Sequence, residues 1–252
     1  MKNNQVLMIL LGSLAVSPVL AYSTFIAEQQ LSWPHQPWIM SISGGLAWQL
    51  HSDSQTQNLT PEVTKTYHVN HSDETLVNGE LFIGLQQALP HNWQGQWGLA
   101  LSTTENATEK GMIWDDADPS FANYYYRYKI SHSFLGLKGV LLMDVGYWLT
   151  PWISASAGVG FNHAYEYTNT PILAEAVVNP NFNSSSNRAF SYTVGIGVQK
   201  NLSEHWQAGI GYQFADWGKS ELGMAPGQTI GSGLAQDHLY TSGFLINVTY
   251  VA

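Results

Sequence analysis

Hydrophobic and polar residues alternate with a period of two along most of the chain after residue 37, and this is the period of a β-strand. In residues 38–50, bulky apolar side chains on one face oppose Ser, Gly, Ala and Gln on the other. Further runs repeat this division between a bulky apolar face and a small or polar face, so the pattern predicts eight strands. The other runs lie at 76–89, 96–102, 130–146, 152–166, 190–200, 206–217 and 239–251.

The connections between these runs alternate strictly between short and long. The short ones read PHN, WLTP and SEH, and the long ones cover roughly 51–75, 105–122, 167–189 and 218–237. Short turns at one end and long loops at the other are typical of an up-and-down transmembrane barrel. The fold class is therefore predicted to be all-β, an eight-stranded antiparallel up-and-down transmembrane β-barrel that forms one domain over residues 38–252.

The alternative to a membrane barrel is a secreted soluble barrel that carries a ligand, as lipocalins do. A soluble barrel places its large apolar side chains inside and its polar side chains outside. In this chain the small residues suit the narrow interior of eight strands, so the bulky apolar face must point outward. Only lipid accepts such an exterior, and the membrane barrel is favoured.

Four tryptophans open strands directly after the predicted short-turn end: Trp38, Trp93, Trp152 and Trp206. Tryptophan favours the membrane interface, where its ring is buried and its N–H stays near the headgroups. We therefore expect Trp38, Trp93 and Trp206 to form a periplasmic aromatic girdle. The second turn is one residue shorter, which places Trp152 on the Ser/Gly face unless a bulge intervenes. The opposite ring is expected to include Trp48, Tyr165, Tyr192, Trp217 and Tyr240.

The first 21 residues have the features of a secretory signal peptide: Lys2, an apolar stretch, and small residues before a cleavage site. Residues 22–37 then form a periplasmic N-terminal lead. The chain has no cysteine, only 11% charged residues, and 18 acids against nine Lys and Arg. An acidic chain is a poor candidate for binding nucleic acid, which requires cations to neutralise phosphates.

The hairpin VGIGVQKNLSEHWQAGIGYQFADWGKSELG at 194–223 and the aromatic final strand LYTSGFLINVTYVA resemble the small outer-membrane barrels of the OmpA/OmpX/opacity-protein-like family. The resemblance implies a monomer in the bacterial cell outer membrane, surrounded by lipid and lipopolysaccharide. It also implies insertion by the barrel-assembly machinery, although the chain ends in Val251 and Ala252 instead of the usual aromatic residue. The implied C-terminal insertion signal comprises Tyr240, Phe244, Ile246, Val248 and Tyr250.

Two charged residues are predicted to face the barrel interior at similar depth, Glu80 and Lys138. Because unpaired buried ions are costly, we expect a lumenal ion pair, either as a static bridge or as a gate that breaks and re-forms. Arg127 and Lys129 share the lipid-facing parity but lie beyond the apolar band. They are expected either to contact lipopolysaccharide phosphates through charge-assisted hydrogen bonds or to extend along the interface towards water.

The sequence contains no recognisable catalytic set, metal site or cofactor-binding motif. In SHS (131–133) the alternation places His132 on the opposite face from both serines. The acidic long loops favour a surface or structural role: envelope integrity, adhesion or contact with a host ligand. A narrow porin-like channel gated by the lumenal pair is the alternative, and an outer-membrane lipid-modifying enzyme is the third possibility.

Overall fold

The computed structural model describes residues 36–50, 53–70, 74–173 and 179–252. The predicted signal peptide and most of the predicted lead lie outside the described residues. Within those ranges, no helix is long and apolar enough to cross a membrane.

Eight antiparallel strands form a closed ring in which each strand pairs with both neighbours. The ring closes where the first strand pairs with the last, from Ile39 opposite Val251 to Gln49 opposite Thr241. This confirms the predicted number and direction of the strands. The ring comprises β1 (Trp38–Gln49), β4 (Thr75–Leu89), β5 (Trp93–Asp115), β6 (Ala122–Met143), β7 (Thr150–Pro171), β8 (Ser185–Asn201), β9 (Trp206–Asp216) and β12 (Tyr240–Val251).

The outer face of the ring is apolar and its inner face is packed. Leu99 and Leu137 are 58% and 69% exposed, whereas Ala100 and Ser102, which point inward, are at most 5% exposed. A closed barrel leaves no unpaired sheet edge, which is the condition for spanning lipid with strands. The apolar face therefore points outward, which is the reverse of its direction in a soluble barrel.

At the short-turn end the strands are joined by residues 90–92, 144–149 and 202–205. His91 and Asn92 have φ values of 61° and 62°, as expected in a tight hairpin turn. Trp152 is 7% exposed, and its indole lies over Gly197 and Gly211, where an added Cβ would collide with the ring. It therefore faces the lumen, as its register predicts.

Four shorter strands lie in regions predicted to be long loops. β2 (Gln55–Thr60) and β3 (Val63–Val69) form a hairpin whose second strand pairs with β5, and β10 (Ser220–Glu221) pairs with β11 (Ala235–Gln236). In addition, β5, β6 and β7 continue well past the predicted strand ends. Much of the regions 51–75 and 105–122, predicted only as long loops, is therefore strand, because the strands extend beyond the apolar band as a folded extracellular half.

Packed side chains occupy successive levels inside the barrel. A lower cluster consists of Leu142, Trp152 and Leu245, and a middle cluster includes Phe82 and Phe134. Buried side chains continue along β6 into the extracellular half. From the periplasmic end, the inward residues of β6 include Leu142, Lys138, Phe134, His132, Ile130, Tyr128 and Tyr126.

Candidate functional site

A salt bridge crosses the lumen between β4 and β6. Lys138 Nζ contacts Glu80 Oε1, and both side chains are at least nine-tenths buried. The second carboxylate oxygen accepts a hydrogen bond from the Ser102 hydroxyl at 3.1 Å, and the ammonium lies 5.8 Å from the centre of the Phe82 ring. The structure thus brings the two predicted lumenal charges together and gives the carboxylate a second donor.

Two small cavities adjoin this pair. The one beside Glu80 has a volume of about 10 Å³, and the one beside Lys138 has a volume of about 40 Å³. Polar side chains such as Ser41, Gln96 and Asn247 line the larger cavity. Volumes of this size hold about one to a few water molecules and no organic solute.

Above the salt bridge, a polar network ties the lumen to the loop after β9. His132 Nδ1 and Asn162 Oδ1 are 2.8 Å apart, and the Asn162 amide donates to the carbonyls of Trp217 and Lys219. The Trp217 indole donates to the Thr241 hydroxyl at 2.9 Å. Trp217 is 3% exposed, so its predicted place in the outer aromatic ring was wrong. The indole turns inward because the lumen supplies a partner for its N–H.

The serines on either side of His132 do not share its position, because His132 is fully buried and Ser133 lies on the exposed outer face. A serine–histidine contact does occur elsewhere on the outer wall, where Ser186 Oγ and His163 Nδ1 are 2.8 Å apart. The nearby carboxylate of Glu166 pairs with Lys129 at 2.8 Å and not with this ring. Over the ranges that the structure describes, no cluster of three His, Asp or Glu could hold a metal ion.

The extracellular half has its own core of tyrosines. The ring of Tyr67 packs edge-on against Tyr126 at 5.6 Å between centroids, and Tyr126 stacks with Tyr128 and Tyr167. Burial, with the nearby Asp115 carboxylate, raises the pKa of the Tyr67 hydroxyl. The cluster fills the barrel above the membrane band. Its buried members also include Leu59, Ile113, Tyr124, Ile130, Ala164, Phe182, Leu222, Ala225 and Leu234.

The edge strand β2 is covered by the long loop between β9 and β12. Gln57 Nε2 donates to the Gly233 carbonyl at 2.9 Å, and the Leu59 carbonyl accepts from the backbone N–H of Thr229 at 3.0 Å. The Ala235 N–H donates to the Gln55 side chain at 3.0 Å. The loop and the hairpin therefore form one folded platform over the tyrosine core.

The outermost part of this platform is an acidic tip with exposed apolar side chains. The β2–β3 turn and the β5–β6 turn lie side by side, because Asp115 pairs with Lys65 at 2.9 Å and the Asp116 N–H donates to the Thr64 carbonyl at 3.0 Å. Phe121 is 53% exposed and Val63 is 38% exposed. We call Glu62, Val63, Asp116, Ala117, Asp118, Pro119, Ser120 and Phe121 the extracellular tip.

At the opposite end, aromatic side chains gather on the outer face. Trp38 and Trp206 are about half exposed, and their rings lie 5.5 Å and 5.1 Å from the ring of Tyr250. Trp93 starts β5 and is partly buried. These positions suit the girdle that the sequence predicts, and its interfacial role remains a prediction.

The final strand presents alternate side chains outward, and Phe244 and Ile246 are more than 60% exposed. Val248 continues this row, with Tyr240 and Tyr250 at its two ends, partly covered by neighbouring rings. The row is the part of the chain that we expect the barrel-assembly machinery to read, and that expectation stays a prediction.

Comparison with known proteins assigns this architecture to a family. The profile described as outer membrane protein beta-barrel domain matches residues 17–251. The chain belongs to this family. It is therefore a protein of the bacterial outer membrane. No curated protein sequence matches it significantly.

Solved structures of similar shape share little sequence with this family member. Neisserial surface protein A is 10% identical with a TM-score of 0.41, over 85% of this chain and 96% of that one. OprG from Pseudomonas aeruginosa is 12% identical with a TM-score of 0.43, over 86% and 97%. The outer membrane protease OmpT from Escherichia coli is 9% identical with a TM-score of 0.49, over 89% and 99%. None of these likenesses assigns a function to this chain.

Sequence reasoning missed the tip, the tyrosine core and the outer-wall groove described below. The tyrosines of β6 at 124, 126 and 128 were the available signal, because they continue the inward parity of that strand beyond the expected loop boundary. The run VTKTYHV at 63–69, rich in β-branched residues, was the signal for β3.

Proposed function

We propose that this chain is a closed, non-conducting outer-membrane barrel that acts by surface contact through its extracellular half. The observation that carries the proposal is the succession of buried side chains inside the barrel, from Trp152 through the Glu80–Lys138 pair and Phe134 to the tyrosine core. The largest lumenal cavity described beside the ion pair is about 40 Å³. A barrel built in this way offers solutes little space and presents a rigid platform outside the cell.

The chemistry of the extracellular tip supports a contact role. Acidic side chains at 62, 116 and 118 share the extracellular tip with the exposed ring of Phe121 and the exposed methyl groups of Val63. Exposed apolar side chains rimmed by charge are typical of interaction sites. We propose a basic, partly apolar protein surface of a host as the partner, with the barrel acting as a monomer.

The test compares adhesion to cultured epithelial cells by bacteria that display the wild-type chain or a tip variant. The variant carries Asp116→Asn, Asp118→Asn and Phe121→Ser, all outside the barrel wall. We expect the tip variant to lose most of the adhesion that the wild type confers, and wild-type adhesion to fall as salt rises because exposed charges are screened.

The matched control replaces Glu204, in a periplasmic turn, with Gln, and should adhere like the wild type. Heat-modified migration of each variant in a gel checks that the barrel is intact. Undiminished adhesion by a correctly folded tip variant would contradict the contact role.

A narrow channel gated by the lumenal pair is the second candidate. The two polar cavities that adjoin Glu80 and Lys138 favour it, because separation of the charges would join two spaces of about the size of water molecules. Gating predicts that Glu80→Gln or Lys138→Met changes ion flux.

A lipid-modifying enzyme is the third candidate, and we assign no reaction to the chain. Its support is the contact between Ser186 and His163 on the outer wall. If this pair hydrolysed lipid esters, the wild type would release fatty acid from lipid A and Ser186→Ala would not. We expect no release from either protein.

A further inference from the structure

Lys110 and Arg127 face each other across β5 and β6 on the outer wall of the barrel. They are register partners and both are exposed. Like charges directly opposite each other in a sheet destabilise it.

No acid compensates this pair within the described residues. The other lysines at 65, 129, 138 and 219 each form a salt bridge. Arg188 and Lys200 lie over aromatic rings. Two acids on the neighbouring segments have partners of their own: Glu166 binds Lys129, and Glu74 accepts from the Thr108 N–H. Lys110 and Arg127 therefore repel each other in the folded chain, and a bound anion would relieve this repulsion.

The two cations line a groove of about 540 Å³ on the outer wall. Its lining offers hydrogen-bond donors from Asn70, Lys110, Arg127 and Thr168, and none of the described residues that line it is Asp or Glu. Gly111 forms part of the floor, where a Cβ would collide with the His68 carbonyl. A concave surface with two cations fits a phosphate group, to which Arg and Lys bind through charge-assisted hydrogen bonds.

The height of the groove indicates where the phosphate comes from. Arg188, Phe161 and Ser133 form one register row at the upper edge of the apolar wall. Arg127 lies six residues beyond Ser133, which is about 20 Å along the strand and about 15 Å in height at a tilt of about 40°. A phospholipid headgroup layer is only about 5–7 Å thick, whereas the phosphorylated inner sugars of lipopolysaccharide reach further outward.

The cations of the outer wall are also confined to one side of the barrel. Strands β1, β4, β9 and β12 contain no Lys or Arg at all. We propose that the groove of Lys110 and Arg127 binds a phosphate group of outer-leaflet lipopolysaccharide, with Lys129 and Arg188 below it on the same side. This inference goes beyond the contact role of the tip and does not depend on it.

The test measures binding of deep-rough lipopolysaccharide to the refolded mature chain in detergent micelles by isothermal titration calorimetry. Each charge-assisted contact is worth about tenfold in affinity, so Lys110→Gln with Arg127→Gln should weaken binding about a hundredfold. The control, Lys200→Gln with Lys219→Gln, removes the same charge elsewhere and should bind within about twofold of the wild type.

Dephosphorylated lipopolysaccharide should bind the wild type as weakly as the groove variant binds the phosphorylated form. Equal affinity of wild type and groove variant would overturn the proposal, and so would equal affinity for the two lipids. If inorganic phosphate alone bound the wild type as tightly as lipopolysaccharide, the assignment to a lipid would be wrong. Thermal unfolding without lipopolysaccharide checks folding, and the groove variant should be at least as stable as the wild type because the repulsion is gone.

Discussion

Replacing Lys138 with Met should destabilise the barrel strongly by leaving Glu80 charged inside the lumen. The substitution keeps an unbranched side chain of similar length and removes the ammonium, which lies 5.8 Å from the centre of the Phe82 ring. The carboxylate would retain the Ser102 hydroxyl as its defined donor. Breaking a buried ion pair by removing one partner costs about 3–5 kcal/mol. Because Ser102 remains, we expect the lower end of that range, about 3 kcal/mol.

The companion variant Glu80→Gln with Lys138→Met removes both charges. It distinguishes the effect of an unpaired charge from the effect of changed packing at the same positions. It should recover most of the loss, since a neutral amide can still accept from Ser102. The assay is urea unfolding of the refolded chain in lipid vesicles, followed by tryptophan fluorescence and gel migration. If Lys138→Met were as stable as the wild type, or the double variant no more stable than Lys138→Met, the carboxylate would not depend on its partner and this reasoning would fail.

Two further predictions concern packing and alkaline stability. Gly197→Ala should destabilise the barrel by about 1–3 kcal/mol through overpacking, because the added Cβ would collide with Trp152 and the Ile210 carbonyl. The control Gly79→Ala should cost little, because its Cβ meets nothing closer than 4.0 Å. Urea unfolding in vesicles compares the stability of the two variants. Burial raises the pKa of Tyr67, so its contribution to stability is complete below the unfolded pKa of about 10 and declines as pH rises above it. Tyrosinate absorbance, followed as pH rises, should show that Tyr67 ionises only when the chain unfolds. The Tyr67→Phe variant should show one fewer tyrosine with this delayed ionisation. Ionisation of all tyrosines near pH 10 in the folded chain would contradict the prediction.

The transmembrane strands could be predicted from sequence because one physical constraint acts at every position. Lipid outside and a narrow lumen inside demand opposite residue types on the two faces, and this demand is visible in Leu99 beside Ala100. The same rule placed Trp152 inside, because it shares the face of Ser154 and Ser156 in β7. The prediction of a lumenal pair was possible because Glu80 and Lys138 are charges at inward positions of apolar strands.

The extracellular half was harder to predict, because outside the lipid the outward positions no longer have to be apolar and the contrast between the two faces weakens. Strand β2 is stabilised by hydrogen bonds to a loop more than 160 residues away, as in the contact between Gln57 and Gly233. Trp217 has an aromatic residue's usual preference for the interface, and only the structure shows the hydroxyl of Thr241 within its reach. The groove at Lys110 and Arg127 depends likewise on strand register after a bulge.

Single-channel recording in a planar bilayer tests the central claim of a closed barrel most directly. The refolded mature chain is recorded beside Lys138→Met, and insertion is established by slower gel migration of the boiled samples. We predict that neither protein produces discrete conductance steps, because Trp152 and Phe134 still fill the lumen when the ion pair is lost. Discrete steps from the wild type would contradict the closed barrel, and steps from Lys138→Met alone would show that the lumenal pair is a gate.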